Sequence, residues 1–259
     1  MADESMFVRD GESFQPTEWA VGPWSEDLLQ GSAFCGLMVR ALERHAPSGT
    51  TLARLSFDLW RPVTREPLAP AVSVLREGRK ASTVEVSLMQ GGKAVARCTA
   101  VYLRADPSPA PAAVDRTPPN SGPEAGRPIP DAAKRWSPFF TGVDTRTVEG
   151  DLLKAGPAAC WFNLQRPLVA GEANSALVHA VSAADLCSGI SAIVDLRRVT
   201  FVNADLTIVL WRQPRAPWIL LSAQTQAGDQ GTGVARGTLS DLDGAFGACE
   251  QTLIFERRT

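Results

Sequence analysis

The sequence predicts an α+β protein made of two tandem copies of one unit, each an antiparallel sheet wrapped around a buried central helix. Three observations predict this fold class. A proline-rich segment divides the chain near its middle, residues on its two sides repeat at a nearly constant spacing, and in each half a helical pattern precedes several alternating ones. Because neither a helix nor a sheet can bury its apolar side alone, the two are expected to pack on each other.

Composition favours a cytoplasmic globular protein. The 259 residues are 44% apolar and 21% charged, with a net charge of −2, which gives no electrostatic case for a nucleic acid or an anionic membrane as partner. No run approaches the ~18 apolar residues of a membrane-spanning helix. The segment Met1–Ser5 is acidic and is followed by no apolar run typical of a secretory signal, so we do not expect secretion. Five scattered cysteines are typical of small buried side chains in a reducing compartment.

Proline marks the boundary between the two units. Eight of the 19 prolines fall between Pro107 and Pro130, where they exclude a helix interior or a central strand. We therefore predict an N-terminal unit over residues 1–105, a proline-rich linker over 106–134 and a C-terminal unit over 135–259.

The two units repeat each other. At a shift of 151 residues, Trp60-Arg61 falls on Trp211-Arg212 and Cys98 falls on Cys249. The apolar set Leu55, Phe57, Leu59 falls on Leu206, Ile208, Leu210 at the same shift. Several coincidences at one shift predict a tandem duplication.

Each unit contains a helical pattern. In the first, apolar residues follow the spacing of one helix face after a capping residue, Ser32, and the pattern ends before Pro47. These residues are Phe34, Leu37, Met38, Ala41 and Leu42. In the second, the run from Leu186 to Val194 is apolar on most sides, which is typical of a buried helix.

Alternating segments follow as strands in both units. They are Leu55–Arg61, Thr83–Met89 and Val95–Arg104 in the first, then Leu206–Arg212, Trp218–Thr225, Gly233–Ser240 and Phe246–Phe255 in the second. Gly91-Gly92 and Asp243-Gly244 predict hairpin turns at matching places.

Short motifs occur in a characteristic order along both units. The first has Leu29-Gln30-Gly31-Ser32 at the helix start and Phe57-Asp58-Leu59-Trp60-Arg61-Pro62 in a strand, and the second has Ala204-Asp205-Leu206 and Trp211-Arg212. Their order and spacing resemble the double-hotdog acyl-CoA thioesterases of the thioesterase II group, over nearly the whole chain outside the linker. The resemblance implies two hotdog units and hydrolysis of fatty acyl-CoA to free fatty acid and CoA, with no metal or cofactor. It also implies a homodimer or a larger homo-oligomer.

The family's hydrolytic site is an aspartate, a hydroxyl residue and a glutamine of the second hotdog, which hold one water. Carried over by motif, these are Asp205, Thr225 and Gln251. A thioester carbonyl is already electrophilic, so the water needs orientation and a proton acceptor, here Asp205. The oxyanion is expected to meet backbone N–H groups near Gly31 and Ser32, where a buried helix begins.

The residue pattern alone leaves alternatives for this site. Gln251 lies on an otherwise apolar strand face, where a buried amide must find partners or cost about 1–3 kcal/mol. Thr225 shares the apolar face of its strand, but a one-residue slip would present Gln226 instead. Asp185, near the predicted second helix, is a rival base; its alternative role is to complement the positive end of a helix dipole.

Two other functions fit the same fold. A non-catalytic acyl-CoA-binding protein would keep the binding tunnel without the water-holding set. A hotdog hydratase or dehydratase usually uses a histidine with an acid. The sequence has only two histidines, His45 and His179, and this shortage counts against the hydratase hypothesis.

Overall fold

The computed structural model describes residues 4–106, 117–195, 198–215 and 217–258. Across these residues, fourteen strands form one antiparallel sheet. The first half contributes β1 (Phe7–Asp10), β2 (Ser13–Pro16), β3 (Thr50–Leu59), β4 (Leu68–Arg76), β5 (Ala81–Gln90) and β6 (Lys93–Arg104), with one long helix, α1 (Gly31–Arg44).

The second half contributes the other eight strands and four helices. The strands are β7 (Arg127–Pro128), β8 (Val143–Glu149), β9 (Ala158–Leu164), β10 (Val199–Asn203), β11 (Asp205–Leu210), β12 (Ile219–Ala227), β13 (Thr232–Asp241) and β14 (Gly244–Arg257). The helices are α2 (Asp131–Lys134), α3 (Pro138–Thr141), α4 (Ala176–Ala184) and α5 (Cys187–Ile190).

The two halves join through β3 and β11, which pair antiparallel with Leu206 opposite Phe57. Outward from this junction the strand order is β3, β6, β5, β4 on one side and β11, β14, β13, β12 on the other. The predicted duplication is therefore visible as two equivalent runs of strands. All seven predicted strands form, and Gly91 and Gly92 make the predicted turn with φ of 54° and 75°.

The second helix begins ten residues earlier than the sequence pattern predicted. The main helix is α4, which Ser175 caps by accepting a hydrogen bond from the Val178 N–H, and the predicted region holds only the four-residue α5. The run Ala176–Ala184 is apolar and rich in small residues on every side, so it shows no stripe from which periodicity could identify it.

The core lies between the sheet and the paired helices α1 and α4. The inward residues of α1 pack on β4 and β5, and α1 also contacts α4 closely. At this helix contact the Ser182 hydroxyl donates to the Ser32 carbonyl over 3.4 Å. All five cysteines are free and buried, as their scattered positions predicted.

The predicted linker is described only in part, since residues 107–116 lie outside the described residues. The rest of it packs on the second half. β7 pairs with β8, and the indole N–H of Trp161 donates to the Ser121 carbonyl over 3.0 Å. Among the described residues, no helix has the length and apolar character needed to cross a bilayer.

Candidate active site

A cavity of about 340 Å³ lies between the two halves, where α1 begins and α4 ends. Gln30 and Gly31 line it from the first half, and Asp185 lines it from the second. Much of the remaining wall is aromatic: Trp24, Trp136, Phe140, Phe162 and Phe201. An apolar cavity of this size with a few convergent polar groups is the usual form of a small-molecule site.

Asp185 is the buried acid of this cavity, and only 6% of its surface is exposed. It follows α4 directly, and its carboxylate lies against the start of α1. Oδ2 accepts hydrogen bonds from Gln30 Nε2 at 3.1 Å and from Ser32 Oγ at 3.0 Å. Oδ1 receives one longer contact, 3.4 Å from Asn203 Nδ2. One oxygen is thus anchored, and the other keeps capacity to accept a proton.

The helix dipole that Asp185 complements is that of α1, in the other half of the chain. The Ser32 backbone in the first turn of α1 favours the charged form of the Asp185 carboxylate and so lowers its pKa, as the orphan N–H groups of a first helical turn can. Gly31 permits this approach, because a Cβ at position 31 would lie 2.5 Å from Oδ1. Of the two positions expected to bind the oxyanion, Gly31 lines the cavity beside the acid, whereas Ser32 is fully buried and bonds to the acid through its hydroxyl.

Burial raises the pKa of Asp185 above its ordinary value of 3.8, and the hydrogen bonds from Ser32, Gln30 and Asn203 only partly oppose this rise. Removing a carboxylate from water disfavours its charged form. A carboxylate with a raised pKa is also a stronger base than an exposed one, as general base catalysis requires.

Gln251 shapes the turn that carries this acid. It is fully buried on β14; its Oε1 accepts from the Ser188 N–H at 2.9 Å and its Nε2 donates to the Asp185 carbonyl at 3.0 Å. The buried amide expected from the sequence therefore has its partners, and both belong to the α4–α5 turn.

Asp205 lies away from the cavity. Its carboxylate accepts from the Thr252 N–H at 2.7 Å and from the Thr252 hydroxyl at 2.9 Å. Thr207 and Val209 lie on the same face of β11 as Asp205. They line a wide depression of about 840 Å³ on the sheet face opposite the helices. The structure does not bring Asp205 together with Gln251 or Asp185.

A one-residue shift in the strand pairing explains the position of Asp205. Asn203 of β10 pairs with Leu253, whereas Thr207 of β11 pairs with Glu250, so the side-chain alternation changes phase near Ala204. Asn203 consequently lines the cavity, and Asp205 points out of the sheet.

Thr225 faces the helices, as alternation predicted, but it does not line the cavity. Its hydroxyl lies 2.7 Å from the Ser191 hydroxyl, which donates to the Cys187 carbonyl at 2.8 Å. Gln226 is exposed on the other face, so the strand shows no slip. Thr225 thus supports the end of α5.

Gln30 and Asn203 were not predicted from the sequence. Gln30 directly precedes the Gly31-Ser32 pair, and this closeness was the one available signal. Asn203 carried none, since its inward direction depends on the pairing shift.

Comparisons with known proteins agree with this architecture. A family model described as the acyl-CoA thioesterase N-terminal domain matches residues 20–103, and one described as the acyl-CoA thioesterase C-terminal domain matches residues 123–255. No curated protein matches the sequence.

Three solved structures are similar over nearly their whole length. A protein assigned as a thioesterase II from Thermobifida fusca has a TM-score of 0.77 at 18% identity, with 98% of this chain and 96% of that chain covered. A hot dog fold protein of unknown function from Alicyclobacillus acidocaldarius has a TM-score of 0.74 at 15% identity, with 99% of this chain and 98% of that chain covered. An acyl-CoA thioesterase II from Mycobacterium marinum has a TM-score of 0.70 at 18% identity, with 96% of this chain and 95% of that chain covered. These likenesses confirm the predicted double-hotdog fold.

Proposed function

The chain belongs to the acyl-CoA thioesterase family, and from that premise we propose that it hydrolyses fatty acyl-CoA to free fatty acid and CoA in the cavity that holds Asp185. One observation carries the proposal. A buried carboxylate with a raised pKa, held at the start of α1, lies in an apolar cavity built from both halves. Such a perturbed acid in a cleft is a functional-site candidate on physical grounds.

In this proposal Asp185 is the general base. A water beside Oδ1 attacks the thioester carbonyl carbon while Oδ1 takes one of its protons, so a C–O bond forms and the carbonyl electron pair moves to oxygen. Collapse of the tetrahedral intermediate breaks the C–S bond. The proton held by Asp185 then passes to the departing sulfur, and CoA leaves as the thiol. Oδ2 stays anchored by Gln30 and Ser32 throughout.

The developing oxyanion meets the start of α1. Gly31 lines the cavity beside the acid, and the first N–H groups of a helix have no partner within it. An N–H donor and the positive end of the helix dipole at this point would stabilise negative charge on the former carbonyl oxygen.

The remaining polar residues position the acid. Asn203 contacts Oδ1 and lines the cavity, so it is the neighbour available to orient the water. Gln251 fixes the turn on which Asp185 sits. The contacts of Asp205 with Thr252, and of Thr225 with Ser191, support structural roles for these two residues.

The test is thiol release from a panel of acyl-CoAs by the wild type and Asp185→Asn. We expect turnover by the wild type and a loss of at least ~100-fold in the variant, the low end for a missing general base. Acyl-CoA binding without thiol release by the wild type would instead support the non-catalytic binding protein.

A further inference from the structure

Thr145 is a polar residue in the apolar wall of the cavity. It lies on the inward face of β8 opposite Phe162 of β9, and both residues line the cavity. Only 2% of its surface is exposed. The same cavity wall includes Phe140 and Leu152, whose side chains offer no hydrogen-bonding group.

The Thr145 hydroxyl lacks a hydrogen-bond partner within the described residues, and so does Gln30 Oε1 in the same wall. A buried hydroxyl left unpaired typically costs about 1–3 kcal/mol, so native proteins seldom keep one. Gln30 donates through Nε2 to Asp185, which leaves Oε1 as a pure acceptor.

The adjacent inward residues of β8 show that this polarity is not required by the strand. Thr147 has a partner, since its hydroxyl accepts from the Cys160 thiol at 3.6 Å. Val143 is apolar and buried in the same row. A valine would therefore fill the position of Thr145 without leaving a polar group unpaired.

We propose that Thr145 is a specificity-determining residue that hydrogen-bonds an oxygen on the acyl group, so the preferred substrates are hydroxyacyl or oxoacyl thioesters rather than plain alkyl ones. This inference rests on the proposed thioesterase function. A threonine hydroxyl can donate to a carbonyl or hydroxyl oxygen and can accept from a hydroxyl. The substrate thus supplies the partner that the protein lacks.

The experiment compares acyl-CoAs of equal carbon number, with the chain plain or with a hydroxyl or oxo group placed at successive carbons. Wild type, Thr145→Val, Thr145→Ser and the matched control Thr147→Val are assayed for kcat/KM. The wild type is expected to prefer one oxygenated position. Thr145→Val should lower kcat/KM for that substrate about tenfold, the loss of one hydrogen bond, and leave the plain chain unchanged or improved. Thr145→Ser and Thr147→Val should keep the preference.

Two results would overturn the proposal: no preference by the wild type at any oxygen position, or an equal loss on plain and oxygenated chains in Thr145→Val. Binding of the same acyl-CoAs to the wild type separates this failure from failure of the proposed function. If no thioester is hydrolysed, the thioesterase is disproved, and the Kd difference between hydroxyacyl-CoA and plain acyl-CoA still tests Thr145.

Discussion

At the scale of one residue, Asp185 shows how the site stabilises a carboxylate whose burial is unfavourable. Its carboxylate is buried, and burying a charge is unfavourable unless donors compensate for the lost water. Ser32, Gln30 and Asn203 supply those donors, and the start of α1 adds a favourable dipole. The pKa of Asp185 is nevertheless raised, so the compensation is incomplete. The protein thus retains a costly group in a cavity of ligand size.

The close approach of Gly31 to Asp185 gives a first prediction. Gly31→Ala places a methyl group 2.5 Å from Asp185 Oδ1, so the carboxylate must move. A shift of about 1 Å in a reacting group can cost ~100-fold in rate, and we expect a loss of that size in kcat. Gly36→Ala is the control on the same helix, because its methyl would meet only methyl groups of side chains, those of Leu168 from 3.3 Å and that of Val178 at 3.7 Å. Equal activity in the two variants would disprove the role of this contact.

The raised pKa of Asp185 predicts how stability changes with pH. The folded protein binds this proton more tightly than the unfolded chain, so the resulting stabilisation is complete below the ordinary pKa of 3.8 and disappears as pH rises through the folded pKa. The variant Asp185→Asn has no carboxyl group at this position, so it lacks this pH dependence. The free energy of unfolding of the wild type, relative to this variant, should therefore fall as pH rises from about 4 toward neutrality. Denaturant unfolding at several pH values measures it, and a difference that rises with pH would contradict the account.

At this scale, the sequence predicted a side chain's role only where the residues around it in the sequence already fixed its surroundings. Gln251 could be recognised because an amide on an apolar strand face needs partners, and those partners exist. The direction of Asn203 and Asp205 could not be predicted, because one shifted pairing near Ala204 exchanges the faces of the two side chains. Asp185 was visible only as an acid beside a helix, and the helix it complements belongs to the other half.

At the scale of elements, the turn between α4 and α5 positions the acid. Strand β14 holds this turn through Gln251, and β12 holds the end of α5 through Thr225 and Ser191. The strands were predictable because alternation is a clear signal when one face is buried. The helix α4 was not, because an element that is apolar on every side shows no periodicity.

Gln251→Leu tests the importance of that turn. The change leaves the Ser188 N–H and the Asp185 carbonyl without their partners in a buried place. We expect a loss of about 2–4 kcal/mol in the free energy of unfolding, since each unpaired group costs ~1–3 kcal/mol. Gln226→Leu is the control: this amide is exposed on β12, and its replacement should change stability by less than about 0.5 kcal/mol. Equal stability of the two variants would refute the positioning role of Gln251.

At the scale of the whole molecule, the duplication is symmetric in its sheet and asymmetric in its chemistry. The strand orders on the two sides of the β3–β11 junction match, which is why a constant shift in sequence predicted the architecture. The cavity instead combines the start of α1 from one half with the acid of the other. No repeat within the sequence identifies such a site, because it arises only when the halves pack.

The most direct test of the central claim compares thiol release by Asp185→Asn and Asp205→Asn on the same acyl-CoA. The cavity carboxylate should be required, so Asp185→Asn is predicted to lose ~100-fold or more in kcat. Asp205→Asn keeps an oxygen that can accept from the Thr252 N–H, and its kcat should stay within about threefold of wild type, because a surface change without a catalytic role alters little. A collapse of activity in Asp205→Asn with full activity in Asp185→Asn would contradict the account and place the base on the outer face of the sheet.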